Sequence, residues 1–288
     1  NLSDFIQQQS VECRFESSDS WVILSPIEQS IKRKIESVGT PLKDWNIKIN
    51  YGIKTGFNDA FIISTEKRNE ILDNCSSEEE RTKTAELIRP ILRGRDIKRY
   101  GYNWADLWLI ATFPSRHYDI EEFPAVKAHL LSFGKERLEQ TGKKYIINGE
   151  EVKARKKTSN KWFETQDSIS YWDDFLQPKI VYPETTQGAF FAYDETGIFL
   201  DKTCFMMTTK YVRYIQATLS SQLFEFAYKR IFSSIELGQH GFQYNKHALI
   251  KLPIKKFNGD DSAIFSEEFF YNQYGITTDE IDYIQNTI

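Results

Sequence analysis

The stretch GIKTGFNDAFII, Gly52 to Ile63, places two glycines four residues apart and runs directly into an apolar segment. Apolar and polar residues alternate on both sides of the glycines, which predicts either a hairpin or two strands joined by a loop. Glycines permit a positive φ and a close approach of the backbone to a neighbour. A strand follows the loop, and not a helix with a Ser or Thr at its start, so the pattern is not that of a phosphate-binding P-loop.

Helix and strand patterns alternate on either side of this loop. Residues 25–39 begin with a serine cap and a proline and carry apolar residues on one face, which predicts an amphipathic entry helix. The sequence predicts further helices in SSEEERTKTAELIRPIL, FPAVKAHLLSFGKERLEQ and KYVRYIQATLSSQLFEFAYKRIF, and strands in LWLI, PKIVYPE, AFFAYDETGIFLD and CFMMTT. DETG is predicted as a hairpin turn. We therefore expect an α+β fold, with twisted, mainly antiparallel strands flanked by helices, and a mixed sheet as a variant of it.

The composition is that of a globular protein whose charge is unevenly distributed. The 288 residues are 40% apolar and 15% aromatic, and the formal net charge is −4. Residues 258–288 contain seven acids and no Lys or Arg, which leaves 37 basic and 34 acidic residues in positions 1–257. Three widely spaced cysteines indicate neither disulfides nor a zinc site. With no export signal and no membrane span in the pattern, we expect a cytoplasmic protein.

The sequence lacks most motifs of catalytic chemistry. We find no Walker loop, dinucleotide-binding GxGxxG, HExxH, GxSxG, Cys/His metal spacing or Asn-Pro-Pro-aromatic loop. The triplets that contain Asp96 and Glu151, DIK and EVK, are similar to the end of a nuclease metal motif, although such triplets also arise by chance in a charged chain. The expectation is a chain with no catalytic residues and no metal site of its own.

Three clusters of cations stand out instead. They lie at residues 81–99, at 153–161 (KARKKTSNK) and at 245–256 (NKHALIKLPIKK). Arginine forks suit phosphates and guanine edges, whereas lysines are point charges suited to backbone contact. The alternative is a solvated face with salt bridges, in which Asp96 is the partner of a nearby arginine. Trp45, Trp104, Trp108 and Trp162 are expected to be packing residues rather than stacking platforms.

The order of segments resembles the TaqI-like C-terminal specificity domain of type IIG restriction-modification enzymes and related adenine-N6 DNA methyltransferases. The matching pieces span roughly positions 47–256, and they are GIKTGFNDAFII, IRPILRGRDIKRY, LWLI, FPAVKAHLLSFGKERLEQ, KWFETQ, PKIVYPE, FLDKTCFM, LSSQLFEFAYKRI and GFQYNKHALIKLPI. The closing YGITTDEIDYIQ is also similar to the C-terminus of such enzymes. A first residue other than Met, together with the missing catalytic motifs, then suggests a piece of a longer chain.

The resemblance implies recognition rather than turnover. A methyltransferase domain N-terminal to this chain would bind S-adenosylmethionine and flip the adenine, a fused nuclease would use Mg²⁺, and this chain would bind double-stranded DNA. The expected DNA-binding residues are Lys54, Thr55, Asn58, Arg93, Arg95, Lys98, Arg99, Lys156, Lys157, Gln187, Gln243, Tyr244 and Lys246. Gln239, His240 and Asn245 are weaker candidates beside them.

The expected organisation has three parts. Residues 1–40 are a linker and entry helix, 41–257 the recognition domain and 258–288 an acidic segment, with a division into two subregions near residue 120 as an alternative. Two rival functions remain open. One is a metal-dependent nuclease acting through acids such as Asp96 and Glu151, and the other is a protein-interaction module of a phage-defence complex.

Overall fold

The computed structural model describes residues 23–233 and 241–288. Its strands are β1 (Gly39–Pro41), β2 (Ile47–Tyr51), β3 (Ile62–Ser64), β4 (Ile88–Leu92), β5 (Ile97–Lys98), β6 (Gly101–Tyr102), β7 (Leu107–Ile110), β8 (Lys144–Ile147), β9 (Glu150–Lys153), β10 (Lys179–Pro183), β11 (Thr185–Thr186), β12 (Ala192–Asp194), β13 (Phe199–Leu200), β14 (Cys204–Thr209), β15 (Phe242–Gln243) and β16 (Pro253–Lys255). Its α-helices are α1 (Pro26–Val38), α2 (Asn58–Phe61), α3 (Thr65–Asp73), α4 (Glu78–Leu87), α5 (Pro124–Leu131), α6 (Lys135–Leu138), α7 (Val212–Ser220), α8 (Gln222–Ala227), α9 (Lys246–Leu249), α10 (Glu267–Tyr274) and α11 (Thr278–Thr287).

Local capping explains where several helices begin. The Ser25 hydroxyl accepts a hydrogen bond from the Glu28 amide (3.4 Å), and the Glu28 carboxylate accepts one from the Ser25 amide (2.8 Å), so a capping box starts α1. The Ser77 hydroxyl accepts a hydrogen bond from the Glu80 amide and so caps α4, whose first turn contains three glutamates. Both starts agree with the sequence prediction because the signals are local.

Two four-stranded sheets form the frame of the molecule. The first has the order β12-β10-β14-β2 and is antiparallel throughout. The second has the order β13-β4-β7-β3, in which β13 and β4 run parallel and the other neighbours antiparallel. The pairs β1-β16, β5-β6, β8-β9 and β11-β15 are also antiparallel. The predicted α+β class with mainly antiparallel strands is therefore confirmed, and the second sheet is mixed.

The two central strands of the first sheet, β10 and β14, separate two hydrophobic cores. In β10, Ile180 points into the first core and Val181 into the second, as the two-residue period of a strand requires. In β14, Met207 and Met206 divide in the same way. The core boundary is thus a sheet and not a position near residue 120 in the chain. Ile110 and Val126, on either side of that position, share the second core.

The first core includes both ends of the described chain. Ile35 of α1, Tyr274 of α10 and Ile284 of α11 are all buried in it. The packing therefore does not follow the predicted boundaries at residues 40 and 257. Charge alone did not indicate this, because the acidic residues of segment 258–288 alternate with aromatic and aliphatic residues that face the core.

Four predicted elements differ from the structure. The helix predicted over SSEEERTKTAELIRPIL ends at Leu87, and its last five residues, Ile88–Leu92, are the strand β4. The segment DETG is not a hairpin turn, because β12 and β13 belong to different sheets. The helix predicted over FPAVKAHLLSFGKERLEQ is two helices, α5 and α6. Gly134, whose φ is +87°, lies between them. The helix predicted from Lys210 is broken at Ser221, whose side chain caps α8.

Candidate nucleic-acid interface

A cleft of about 740 Å³ lies where the carboxyl ends of the parallel strands β4 and β13 meet. The residues after β4, Arg93 to Arg95, and the residues after β13, Asp201 to Thr203, form two of its walls. Five cations line this cleft against two carboxylates, and they are Lys54, Arg93, Arg95, Lys98 and Lys202 against Glu184 and Asp201. A concave surface with this excess of positive charge attracts polyanions.

Glycine at position 94 explains how two arginines reach the rim of the cleft. The Gly94 amide donates to the Thr203 hydroxyl (2.9 Å), and a Cβ at Gly94 would lie 2.9 Å from that same oxygen. The backbone therefore approaches the β13–β14 turn closely, and Arg93 and Arg95, on either side of Gly94 in the sequence, both line the cleft.

The two arginines are not equivalent. Arg93 forms a two-pronged ion pair with Asp96, in which Nε lies 2.8 Å from Oδ2 and Nη2 lies 3.0 Å from Oδ1. Hydrogen bonding to Asp96 raises the pKa of Arg93. The expectation that Asp96 pairs with a nearby arginine is confirmed. The Arg95 side chain is exposed, and no carboxylate within residues 23–233 or 241–288 forms an ion pair with it.

The loop that contains Gly52 carries the chain from the first sheet to the second. The amides of Gly52 and Ile53 donate to the carbonyls of Cys204 and Leu200, each at 2.8 Å. A Cβ at Gly52 would lie 1.8 Å from the Asp201 carbonyl oxygen, so glycine is required for this close approach. The segment is not a hairpin, because β2 and β3 lie in different sheets. The expectation that a strand directly follows the loop is wrong, because the short helix α2 (Asn58–Phe61) lies between the loop and β3.

The polar side chains of this loop differ in exposure. Lys54 is exposed and lines the cleft. Thr55 is 0% exposed, and its hydroxyl donates to the Asn58 side chain (2.7 Å) and accepts from the Phe57 amide (3.1 Å). The expectation that Thr55 reaches a base edge is therefore wrong for this conformation, because its hydroxyl is used inside the turn. Asn58 is exposed at the start of α2.

Arg155, in the second cation cluster, is a buried structural residue. Arg155 is only 4% exposed. Its guanidinium donates hydrogen bonds to the backbone carbonyls of Leu138 (2.8 Å), Thr55 (2.7 Å), Glu164 (2.8 Å) and Trp162 (2.7 Å). Burial lowers the pKa of Arg155 to about 10, which leaves it charged at neutral pH. Arg155 thereby joins the glycine loop to the segment 138–166. Its neighbours Lys156 and Lys157 are exposed.

The opposite rim of the cleft contains the predicted amides. Gln187 is exposed and lines the cleft. Gln243 lies in β15, opposite Thr185 of β11, which also lines the cleft. Tyr244 is 1% exposed and packs with its ring centroid 4.6 Å from that of Phe191, so the expectation that it contacts a ligand is wrong. Two weaker candidates, Gln239 and His240, lie outside the described residues.

Two further predicted cations lie apart from the free cations of the cleft. Arg99 donates to the Ser220 carbonyl (2.8 Å) and forms an ion pair with the buried Glu225, so it joins β5 and β6 to the helices of the first core. Arg99 is therefore partly engaged inside the fold, and DNA contact by Arg99 stays a prediction. Lys246 is exposed at the start of α9, and its Nζ lies 3.5 Å from the Ile49 carbonyl oxygen.

The acids proposed for a nuclease are engaged in ion pairs. Asp96 is bound by Arg93, and Glu151 lies 2.9 Å from the Lys144 ammonium. Over the described ranges, no three or more His, Cys, Asp and Glu side chains are grouped to hold a metal ion. No helix in the same ranges is long and apolar enough to cross a membrane.

The tryptophans predicted to be packing residues pack against other aromatic rings. Trp45 is 4% exposed, and its ring centroid lies 6.2 Å from that of Tyr214 in a stacked arrangement. Trp104 and Trp108 pack edge to face at 5.2 Å. The expectation of packing is confirmed for these three rings.

Two cleft residues that bear on recognition were missed from the sequence. Lys202 and Glu184 are both exposed and line the cleft. The backbone of Glu184 is fixed on both sides, since its amide donates to Thr203 (3.0 Å) and its carbonyl accepts from Tyr244 (3.1 Å). The polar triplet DKT after the strand IFL was the available signal for Lys202, because charged residues that follow a buried strand lie at a sheet edge.

A family model supplies the classification. The model of the TaqI-like C-terminal specificity domain matches residues 89–254, more than half of the chain. The chain belongs to this family. The match includes both walls of the cleft, from Arg93 to Thr203, whereas Lys54 and the glycine loop precede it.

Solved structures are also similar to this specificity-domain chain. The type IIL restriction-modification enzyme MmeI, in a structure described as a complex with DNA, is 15% identical, with 74% of this chain and 25% of that chain covered and a TM-score of 0.45. The type IIG restriction endonuclease BpuSI is 14% identical, with 91% and 28% covered and a TM-score of 0.49. The chain thus spans about a quarter of the length of these two proteins.

Proposed function

We propose that this chain is the sequence-specific, double-stranded DNA recognition module of a type II, IIG-like restriction-modification enzyme. The observation that carries the proposal is the cleft at the ends of β4 and β13, with five cations against two carboxylates, in a chain of the specificity-domain family. Free lysines such as Lys54 and Lys202 neutralise phosphates, which supplies affinity without sequence information.

Sequence preference comes from the groups beside those cations. Amides such as Gln187 and Gln243 pair with adenine edges, and an arginine fork such as Arg95 pairs with guanine. These side chains lie on short strands and turns fixed by backbone hydrogen bonds, including the Gly94–Thr203 contact. Such fixed loops on a rigid sheet are suited to readout in a groove.

The same proposal assigns catalysis to other parts of the protein. A methyltransferase domain N-terminal to this chain would transfer a methyl group from S-adenosylmethionine to adenine N6, and a nuclease domain would use Mg²⁺. Those groups would bind outside this chain. The described residues offer neither a cluster of metal-ligating side chains nor a glycine-rich dinucleotide loop for them.

The direct test is a salt titration of duplex binding. The cleft variant replaces Lys54, Arg95, Lys98 and Lys202 with Ala. The control replaces four lysines ion-paired to glutamates outside the cleft, and they are Lys32, Lys67, Lys83 and Lys127. If each of the three cleft lysines neutralises one phosphate, the slope of log K against log salt becomes shallower by about 0.9 per lysine, or roughly 3 in total. The control keeps the wild-type slope.

Two results would overturn the proposal. One is the absence of duplex binding at low salt, both for the 288-residue chain and for its full-length protein. The other is an equal effect of the cleft and control variants, because nonspecific loss of charge would then explain the change. Mapping methylated bases in DNA from cells that make the full-length protein tests the chemistry, with N6-methyladenine in one sequence context as the expected result.

A further inference from the structure

The strands β8 and β9 form a narrow ribbon at residues 144–153. They pair in antiparallel register from Lys144 opposite Lys153 to Ile147 opposite Glu150. Asn148 and Gly149 connect them with φ values of +52° and +84°. Two left-handed residues in succession are the geometry of a tight two-residue hairpin turn, which follows the natural twist of the strands. The ribbon is therefore a defined element and not a loose excursion.

One face of the ribbon is fully exposed. Side chains alternate along each strand, so Lys144, Ile146, Glu151 and Lys153 share this face, and all four are exposed. Ile146 is 72% exposed, a large value for an aliphatic side chain in a strand. The other face carries Tyr145, Ile147 and Val152 at intermediate burial. The two faces thus differ in exposure, and the face with Ile146 is exposed along its whole length.

The exposed face has an arrangement of charge that is unfavourable without a ligand. Lys144 and Lys153 lie directly opposite each other, and like charges in such a cross-strand pair destabilise a hairpin. Lys144 is partly compensated by Glu151 at 2.9 Å. Lys153 has no ion-pair partner among residues 23–233 and 241–288. A phosphate above this pair would remove the repulsion.

The root of the ribbon is tied to the cleft. The Ala154 amide donates to the Lys143 carbonyl (2.9 Å), and the Gly142 amide donates to the Arg155 carbonyl (2.8 Å). Arg155 in turn donates to the carbonyl of Thr55 (2.7 Å), next to Lys54 in the cleft. The exposed Lys156 and Lys157 follow directly. Backbone hydrogen bonds and the Arg155 side chain thus join the root of the ribbon to the loop that carries Lys54.

We propose that the ribbon 144–153 is a second duplex-DNA contact, which holds the DNA beside the bases met by the cleft. The proposal rests on the proposed function of the cleft. Lys144 and Lys153 contact phosphates, and Ile146 lies in a groove against a thymine methyl or the sugars. The major groove of B-DNA is wide enough to admit a two-stranded ribbon.

The first experiment measures salt dependence for the 288-residue chain on its binding duplex. Lys144→Ala combined with Lys153→Ala is expected to make the slope of log K against log salt shallower by about 1.8, the value for two lost phosphate contacts. Lys156→Ala combined with Lys157→Ala changes the root without touching the strand pairing, and is expected to make the slope shallower as well. The control is Lys67→Ala with Lys127→Ala, which removes two lysines of α3 and α5 that belong neither to the ribbon nor to the cleft.

The second experiment uses duplexes trimmed stepwise from one end and then the other. Wild-type protein is expected to lose affinity when one flank becomes too short to reach the ribbon, and the Lys144/Lys153 variant is expected to be insensitive to that trimming. Ile146→Glu, which adds a negative charge to the ribbon face, is expected to weaken binding to the long duplex and to leave binding to the trimmed duplex unchanged.

Each outcome separates the two proposals. Ribbon and root variants that keep the wild-type slope and length dependence, while the cleft variant weakens binding, overturn the ribbon contact and leave the cleft intact. A cleft variant that also binds as the wild type does overturns the proposed function itself. Equal effects of the ribbon and control variants overturn the ribbon contact as well, because they show a general charge effect.

Discussion

Arg155 offers the most direct test of how the candidate interface is held together. The change is Arg155→Met, which keeps much of the aliphatic length and removes the guanidinium. The matched control is Arg137→Met. Arg137 is exposed, and its guanidinium carbon lies 4.2 Å from the centroid of the Phe57 ring. Both variants lose one arginine near the same loop, but only the first loses buried hydrogen bonds.

The expected magnitude follows from the four carbonyls that Arg155 binds at 2.7–2.8 Å. Each buried acceptor left without a donor costs about 1–3 kcal/mol. Removal of the buried charge recovers part of this cost, because keeping a guanidinium out of water is unfavourable. For Arg137, a surface cation–π contact contributes about 0.5–1 kcal/mol. We therefore expect a difference of at least 2 kcal/mol between the variants, as a rough estimate.

Urea unfolding followed by tryptophan fluorescence measures this difference, with the m-value as the check that the unfolding transition is of the same kind. Hydrogen exchange locates it. The amides of Gln166 and Asp167 donate to the Lys54 carbonyl (3.1 and 3.2 Å), and we expect them to exchange faster in Arg155→Met. If Arg155→Met is within 1 kcal/mol of Arg137→Met, the four carbonyl contacts do not hold the loop and the reasoning is wrong.

Three further predictions concern other parts of the molecule. Gly52→Ala should lower the free energy of unfolding by about 3 kcal/mol or more, because its Cβ would lie 1.8 Å from a carbonyl oxygen. Gly101→Ala places no atom within 4 Å of the new Cβ, so its free energy of unfolding in the same urea assay should stay within about 1 kcal/mol of the wild type. Burial lowers the pKa of His129, so the stability that its neutral form contributes is complete above pH 6.5 and is lost as the pH falls towards its folded pKa. The midpoint of urea unfolding should therefore depend less on pH over that window in His129→Gln than in the wild type. Glu184→Ala should tighten binding to unrelated duplexes, because an exposed carboxylate repels phosphates, and relax the preference at one base pair that presents an amine, as measured by competition among single-base variants of the site.

Much of the fold could be predicted because its signals are local. Helix starts at Ser25 and Ser77 depend on a capping side chain and its next three residues. The alternation in KIVYP and CFMMTT gives strands, although it could not show that both faces would be buried. The false hairpin at DETG has the same origin, since a turn signal states that the chain reverses and not which strand it joins next.

The candidate site was harder to predict because it depends on which polar groups lie free after packing. Thr55 lies beside Lys54, and Arg155 lies beside Lys156. Thr55 and Arg155 are buried and hydrogen-bonded, whereas Lys54 and Lys156 are exposed. Burial at these positions results from contacts across about 100 residues, such as Arg155 with the Thr55 carbonyl. A cluster of cations in sequence therefore predicts a basic region without showing which of its members face solvent.

Arginine and lysine divide the work within this basic surface, and the division follows from their chemistry. A guanidinium presents several donors in fixed directions, so it satisfies several acceptors at once inside a fold, whereas an ammonium on a flexible stem is strongly hydrated and suited to mobile contacts in water. The arginines used internally are Arg93, Arg99 and Arg155, and the exposed lysines are Lys54, Lys98, Lys156, Lys157 and Lys202. Arg95 is the exception, since it is exposed and without a carboxylate partner in the described ranges. If the lysines supply sequence-independent attraction, then removing Arg95 should change base preference more than salt slope, and removing any one lysine should do the reverse. A variant series in which Arg95→Ala and Lys202→Ala have the same effect on both quantities would contradict this division.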